Sequence, residues 1–195
     1  MSEVGHRERE KSKRRHAIEI AALTLFTAQG FEETTIQEIA ERASVSPRTV
    51  LMYFQSKADI ALASVNSEVA GLIVNLKRDA KNKSVMTIYS EWFTATIDDT
   101  DPEIRKLRSQ AFKRNPMLIG SMSSEIHEAM EIAHNALAKE YDVPRNHIGI
   151  MLAINQIAGL ASALDQNGGN REEMIYTLKA ALAYADAGLK AVKKL

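Results

Sequence analysis

The chain has 195 residues, 45% of them hydrophobic, with no cysteine and with 25 basic residues against 25 acidic ones, a formal net charge of zero. That length and apolar content support one ordinary domain or a small domain joined to a larger one, while the lack of cysteine excludes disulfides, thiolate zinc sites and cysteine nucleophiles. Zero net charge argues against a protein that coats nucleic acid indiscriminately, so any nucleic-acid contact must use local charge. The stretch from Met1 to Arg15 is charged rather than apolar and no later run is apolar enough to span a bilayer, so the expectation is a cytoplasmic protein with no membrane partner and no cofactor.

Taken in chain order, residues 1–12 read as a flexible basic arm. Arg7, Arg9 and Lys11, joined by Lys13, Arg14 and Arg15, outnumber Glu8 and Glu10, so the segment is either a solvated tail or an arm that seeks phosphates. From Lys13 to Gln29 the apolar residues Ile18, Ala21, Ala22, Leu25 and Phe26 recur at helical spacing, and Gly30 supplies a left-handed stop. Thr34 or Thr35, with Gln37 and Glu38 following, predicts a capping box and a short second helix ending near Ala43. Ser46 and Pro47 predict the start of a third helix only a few residues on. Further starts are expected at Ser56, Asp101-Pro102, Asn115-Pro116, Pro144 and Asn170, with no strand-like alternation anywhere. The fold class is therefore all-α, about nine helices.

Two short helices joined by a tight turn fit a helix-turn-helix, in which an apolar inner face fixes the angle of an outer helix that enters the DNA major groove. Ile36, Ile39, Ala40, Val45, Val50 and Phe54 are spaced to form that inner face against Leu25, Phe26 and Phe31, which leaves Arg48, Thr49, Leu51, Met52 and Tyr53 for the outer one. Arg48, near the helix start, suits bidentate recognition of guanine, and Leu51 or Met52 suits contact with a thymine methyl.

Gly30-Phe31, Thr34-Thr35, Ile39-Ala40, Ala43, Val45-Ser46, Thr49, Tyr53-Phe54 and Ser56-Lys57 together resemble the TetR family of one-component regulators. The resemblance covers the first third of the chain. It implies that Thr35, Ser46, Thr49, Tyr53 and Lys57 hold phosphates, in keeping with the usual phosphate ligands of hydroxyl, lysine and helix-start amides. It also implies a DNA-binding domain over 13–56, a helical ligand-binding and dimerisation domain over 57–195, double-stranded DNA with a palindromic operator as partner, and an unidentified small-molecule inducer. Two residues depart from the family pattern: Leu51 stands where an aromatic residue is frequent, and Ser44 where the turn often has glycine. The second asks a non-glycine residue to adopt a left-handed turn, at about 1 kcal/mol.

In the C-terminal half, Ile150, Ile154, Ile157, Ala161 and Leu164 advance by four and three, as do Ile175, Leu178, Leu182, Ala185, Leu189 and Val192. The expectation is a four-helix bundle between two copies, with Ile150, Ile157, Ala161, Leu164, Leu178, Leu182, Ala185 and Leu189 at the homodimer interface; packing within one chain is the alternative. Helix residues off that seam, Ile148, Met151, Leu152 and Leu160, are apolar as well. A pocket is expected among Met86, Tyr89, Trp92, Phe93, Met122, His127, Met130, Met151 and Asn155, since flexible thioethers accommodate ligands, although such residues also build plain core. The functional expectation is a non-enzymatic repressor released from its operator by ligand. The alternatives are a ligand-independent architectural DNA-binding factor and a helical metalloenzyme built on Glu131 and His134, an E-x-x-H pair with His127 one turn earlier.

Overall fold

The computed structural model describes residues 3–116, 118, 124–167 and 170–193, with side chains for all of these except 3, 4 and 161–167. Among the described residues there are ten helices and no strand. They are α1 (Glu3–Ala28), α2 (Ile36–Arg42), α3 (Pro47–Tyr53), α4 (Lys57–Ala61), α5 (Ala63–Asp79), α6 (Val85–Asp99), α7 (Pro102–Arg114), α8 (Ser124–Tyr141), α9 (Ile148–Asn167) and α10 (Arg171–Val192). The single helix expected from Ser56 is in fact two. Leu62 closes α4, its N–H shared between the carbonyls of Ala58 and Ile60, and α5 begins at the next residue.

The arm expected over residues 1–12 is helical from Glu3 onward and forms the first turns of α1. Apolar periodicity gave no sign of this because those turns face no core. They are built instead around the helix-forming run from Arg7 to Lys11, with a Glu10–Lys13 ion pair at 3.0 Å and an Arg9 Nε bond to the Gly5 carbonyl at 2.9 Å. The other end behaves as expected: Gly30 has φ 101° and ends α1 in the left-handed region. Pro144 does not open a helix. It lies in the turn before α9, whose start is held by His147, its Nδ1 accepting from the Gly149 N–H at 3.1 Å. The helix expected at Pro116 runs into residues outside the described set.

The described residues form two compact units, and the first is larger than the expected 13–56 domain. It contains the residues up to Ser64 and also Asp101 to Leu118, so α7 belongs with the helix-turn-helix rather than with the expected 57–195 domain. The reason is packing: α7 lies along α1, burying Ile104, Ala111 and Phe112, and the Thr27 hydroxyl donates to the Leu107 carbonyl at 3.4 Å. Ile18, Ala22, Leu23, Phe26, Ile39, Ala40, Val50 and Ile60 are fully buried in this unit. Leu25, Ile36 and Val45, expected in the core, are half-buried at its edge.

The second unit runs from Val65 to Thr100 and from Ser124 onward. Its core is centred on Leu76, Ile88, Leu137, Ile150 and Leu178, contributed by five helices. Polar ties hold its ends: Arg171 grips Asp98 through two bonds of 2.5 and 2.8 Å, and the Asn170–Glu173 capping box starts α10 as expected. Gly149 allows α9 to close on α10, since a Cβ there would lie 2.6 Å from Val192 Cγ2 and 3.3 Å from Leu189 Cδ2. No helix among the described residues is long and apolar enough to cross a membrane.

Candidate nucleic-acid interface

The turn between α2 and α3 is defined residue by residue. Thr35 caps α2: its hydroxyl accepts from the Glu38 N–H at 3.2 Å, and the Glu38 carboxylate accepts from the Thr35 N–H at 2.8 Å. The bonds donated to it by the Thr35 N–H and hydroxyl, with one from Gln29, hold the Glu38 carboxyl below the usual carboxylate range. Thr34 is the buried partner, donating its hydroxyl to the Gly30 carbonyl at 2.7 Å. At the far end of α2, Val45 N–H donates to Ala40 O at 2.9 Å and Ser44 N–H to Glu41 O at 3.1 Å, the paired bonds of a Schellman motif. Ser44 accordingly has φ 55°, the left-handed conformation expected there without the glycine that accommodates it most readily.

Ser46 then caps α3, accepting from the Thr49 N–H at 3.0 Å, with Pro47 in the first helical position. The Ser46 and Thr49 hydroxyls are 2.8 Å apart, so the two expected phosphate ligands form one polar cluster at the helix start. Val50 and Phe54 are buried and hold α3 from beneath. The opposite face carries Arg48, exposed and without an ion-pair partner among the described residues, together with Leu51, 53% exposed, and Met52, 75% exposed. Tyr53 is half-buried at the helix end. An apolar pair presented to water on a short, rigidly capped helix fits a surface meant to be covered.

Lys57 departs from its expected role. Its ammonium donates to the carbonyls of Phe31 at 2.7 Å, Glu32 at 3.1 Å and Thr34 at 2.7 Å, and it lies 4.7 Å from the Phe31 ring centroid. All three N–H groups are thereby used, leaving none for a phosphate. Lys57 instead ties the α1–α2 turn, and so the position of Thr35, to the start of α4.

Three groups take positioning roles that the sequence reading did not assign them. Arg15 Nη1 donates to the Tyr53 carbonyl at 3.4 Å while its guanidinium lies 4.5 Å above the Phe54 ring, which places a cation at the C-terminal end of α3. Asn115, ending α7, donates to the Phe26 and Ala111 carbonyls at 3.3 and 2.7 Å and accepts from the Phe31 N–H at 2.8 Å. Glu19, buried in α1, accepts from the Ser64 N–H at 3.2 Å and so caps α5 from outside, while Arg108 of α7 donates to the Ser64 hydroxyl at 3.0 Å. Burial pushes the Glu19 carboxyl above its ordinary range, against the opposing influence of Ser64 and Arg108. No local pattern marks any of the three, because each acts across 38 to 89 residues of chain.

The second unit divides the expected pocket residues. Met86, Tyr89 and Phe93 are buried, and Trp92 and Met130 pack partly buried against the same core. Burial pushes the Tyr89 hydroxyl up to about 12, and Trp92 donates to the Glu68 carbonyl at 2.8 Å. His127, Met151 and Asn155, by contrast, are exposed and line no interior: Met151 and Asn155 lie one turn apart on the outer side of α9. Met122 lies outside the described residues. One interior polar atom escaped the sequence reading altogether: Asn66 Oδ1 on α5 is buried without a hydrogen-bond partner.

The interface expectation needs a matching correction. Ile150, Ile157, Leu178, Leu182, Ala185 and Leu189 are all buried within the chain's own core, since α9 and α10 pack these rows against each other and against α6 and α8. The side chains of Ala161 and Leu164 lie outside the described set. What stays open is the off-seam face: Ile148, Met151 and Leu152 on α9, and Tyr176 and Tyr184, 76% and 73% exposed, on α10. In the E-x-x-H pair the Glu131 carboxylate is engaged by Arg145, and no group of three or more His, Asp or Glu among the described residues is placed to hold a metal ion.

Residues 20–64 match the family described as bacterial regulatory proteins, tetR family. The HTH-type transcriptional regulator TcmR of Streptomyces glaucescens is 41% identical over 93 residues, which are 48% of this chain and 41% of TcmR. The negative transcriptional regulator IcaR of the icaADBC biofilm operon of Staphylococcus aureus is 24% identical over 123 residues, 62% of this chain and 66% of IcaR. The matched part of the chain thus spans from two fifths to just under two thirds of those relatives. Among solved structures, Salmonella enterica GusR has a TM-score of 0.63 over 91% of this chain and 96% of its own, at 17% identity, a likeness of fold. The match to the tetR family of bacterial regulatory proteins thus lies in the helix-turn-helix part of the chain, residues 20–64.

Proposed function

We propose that this protein is a sequence-specific transcription regulator, a repressor that binds a palindromic operator as a homodimer in the cytoplasm and leaves it when a small molecule binds the second unit. The observation that carries this reading is the outer face of α3: an unpaired Arg48 beside exposed Leu51 and Met52, on a helix fixed by the Ser46 cap and by buried Val50 and Phe54. Arg48 reads a guanine, Leu51 or Met52 meets a thymine methyl, and Thr35, Ser46, Thr49 and Tyr53 hold the flanking phosphates. TcmR and IcaR, both named as HTH-type regulators and IcaR as a negative one, support the same role.

A second copy covering Ile148, Met151, Leu152, Tyr176 and Tyr184 supplies the two-fold symmetry that a palindrome requires, and open space around Gly159 and Gly188 suits close helix approach. The unpartnered Asn66 Oδ1 on α5 is the polar handle for a ligand entering the second unit. The chain acts by binding and not as an enzyme, in keeping with the engagement of Glu131 by Arg145. Selection of bound sequences from a random DNA pool, with wild type and Arg48→Ala, tests the reading. A palindrome blurred by the variant at one base step is the expected result; a folded dimer that enriches no sequence overturns it.

A further inference from the structure

The first turns of α1 gather Arg7, Arg9, Lys11, Lys13, Arg14 and Arg15 against Glu3, Glu8 and Glu10 in a chain whose total charge is zero, and they are helical rather than loose. Their cations are not equivalent. Lys13 is paired with Glu10 at 3.0 Å, and Arg9 Nε is bonded to the Gly5 carbonyl. Arg7 and Lys11 are exposed and make no hydrogen bond or ion pair among the described residues, and Arg14 is exposed, near the Glu10 charge without an ion pair to it.

Arg7, Lys11, Arg14, Ile18 and Ala21 follow one another by four, three, four and three residues, so the three cations continue the face of α1 that carries the buried Ile18 and Ala21. Arg9 and Lys13 fall on the opposite side. The root of this stripe is fixed to the reading head, because Arg15 lies on Phe54 and bonds the Tyr53 carbonyl at the end of α3. From Arg14 to Arg7 the helix rises about 10 Å, the axial length of about three phosphates on one DNA strand.

We propose that the α1 extension is a second DNA-contacting element, in which Arg7, Lys11 and Arg14 track the phosphate backbone flanking the half-site read by α3. The inference rests on the helix-turn-helix reading above. It follows from continuity: with α3 in the groove, a rigid stripe of unpaired cations anchored at the end of α3 overhangs the adjoining backbone. Such contacts add affinity and salt dependence without reading bases.

The test compares the full-length wild type with Arg7→Gln/Lys11→Gln/Arg14→Gln and with Arg9→Gln/Lys13→Gln, on the selected operator and on a random-sequence duplex, over a range of salt. Glutamine keeps the helix, which circular dichroism checks. The stripe variant is expected to lose about 2.7 in the slope of log affinity against log salt per subunit, about 0.9 for each phosphate contact, with its selected sequence unchanged. The control variant loses less than about 1. An unchanged slope in the stripe variant, or an equal loss per charge in the two variants, overturns the proposal. Failure of the helix-turn-helix reading is seen separately, as a wild type that selects no sequence, and the random duplex still tests the stripe in that case.

Discussion

The two units bury their residues by different means, and the difference separates what each can do. In the first, nearly every turn is held by a polar group answering a backbone group: Thr35 and Ser46 at helix starts, Ser44 and Val45 at a helix end, Lys57 on three carbonyls, Arg15 on the end of α3. The second depends on long apolar rows; its polar cross-links, Lys77 to Glu128, Thr100 to Glu68, Arg145 to Glu131 and Arg171 to Asp98 among them, mostly join side chain to side chain rather than hold turns, and a wide outer face is left to water. A directional bond fixes position within tenths of an ångström, whereas apolar burial scales with area and tolerates sliding. On the proposed function, the unit that places side chains against base edges is the one whose turns are fixed by directional bonds, and the unit that takes a partner or ligand is the one that rests more on apolar area.

The sharpest way to break this contrast is to charge the open face. Leu152→Asp with Tyr184→Asp is expected to leave a folded monomer, because both side chains are exposed, and to lower operator affinity by roughly 100-fold through loss of the second half-site. Sedimentation and DNA titration read the two effects; a dimer with unchanged affinity refutes the assignment of that face. Next in size, Lys57→Met removes three charge-assisted bonds and is expected to cost about 2 kcal/mol, a fall of roughly 10 °C in the melting of the first unit. Arg48→Ala, equally a loss of one cation, is expected to change stability by less than about 0.5 kcal/mol. Calorimetry on both variants separates a residue that organises the fold from one that awaits a ligand.

Smaller effects sharpen the same comparison. Ser44→Gly relieves a positive φ and is expected to stabilise the protein by about 1 kcal/mol, read as a higher denaturation midpoint. Glu19→Gln tests the buried cap on α5. Because the folded carboxyl titrates above the unfolded value of 4.5, the folded state holds that proton more tightly. Its contribution is therefore fully present below pH 4.5 and is lost as pH rises through the raised value. The stability of wild type relative to the variant should fall with pH across that window, and a pH-independent difference would mean that Glu19 is not held as described.

The sequence by itself determined the all-helical class, most helix starts and the helix-turn-helix. Those features are local: a threonine three residues before a glutamate, a serine before a proline, a glycine after the last apolar residue, apolar side chains at three- and four-residue steps. Each is decided within one or two turns of chain, so it can be read without the fold. Only the tertiary structure decided that α7 belongs to the first unit, that Lys57 faces inward, that Arg15 and Asn115 brace the helix-turn-helix while Glu19 caps α5, and that the heptad-like rows of α9 and α10 are core rather than interface. Periodicity says which residues share a face, but not what that face meets. A lysine's three donors or an aspartate's two oxygens are claimed by whichever backbone the fold brings near, and that is a property of contacts between residues far apart in the chain.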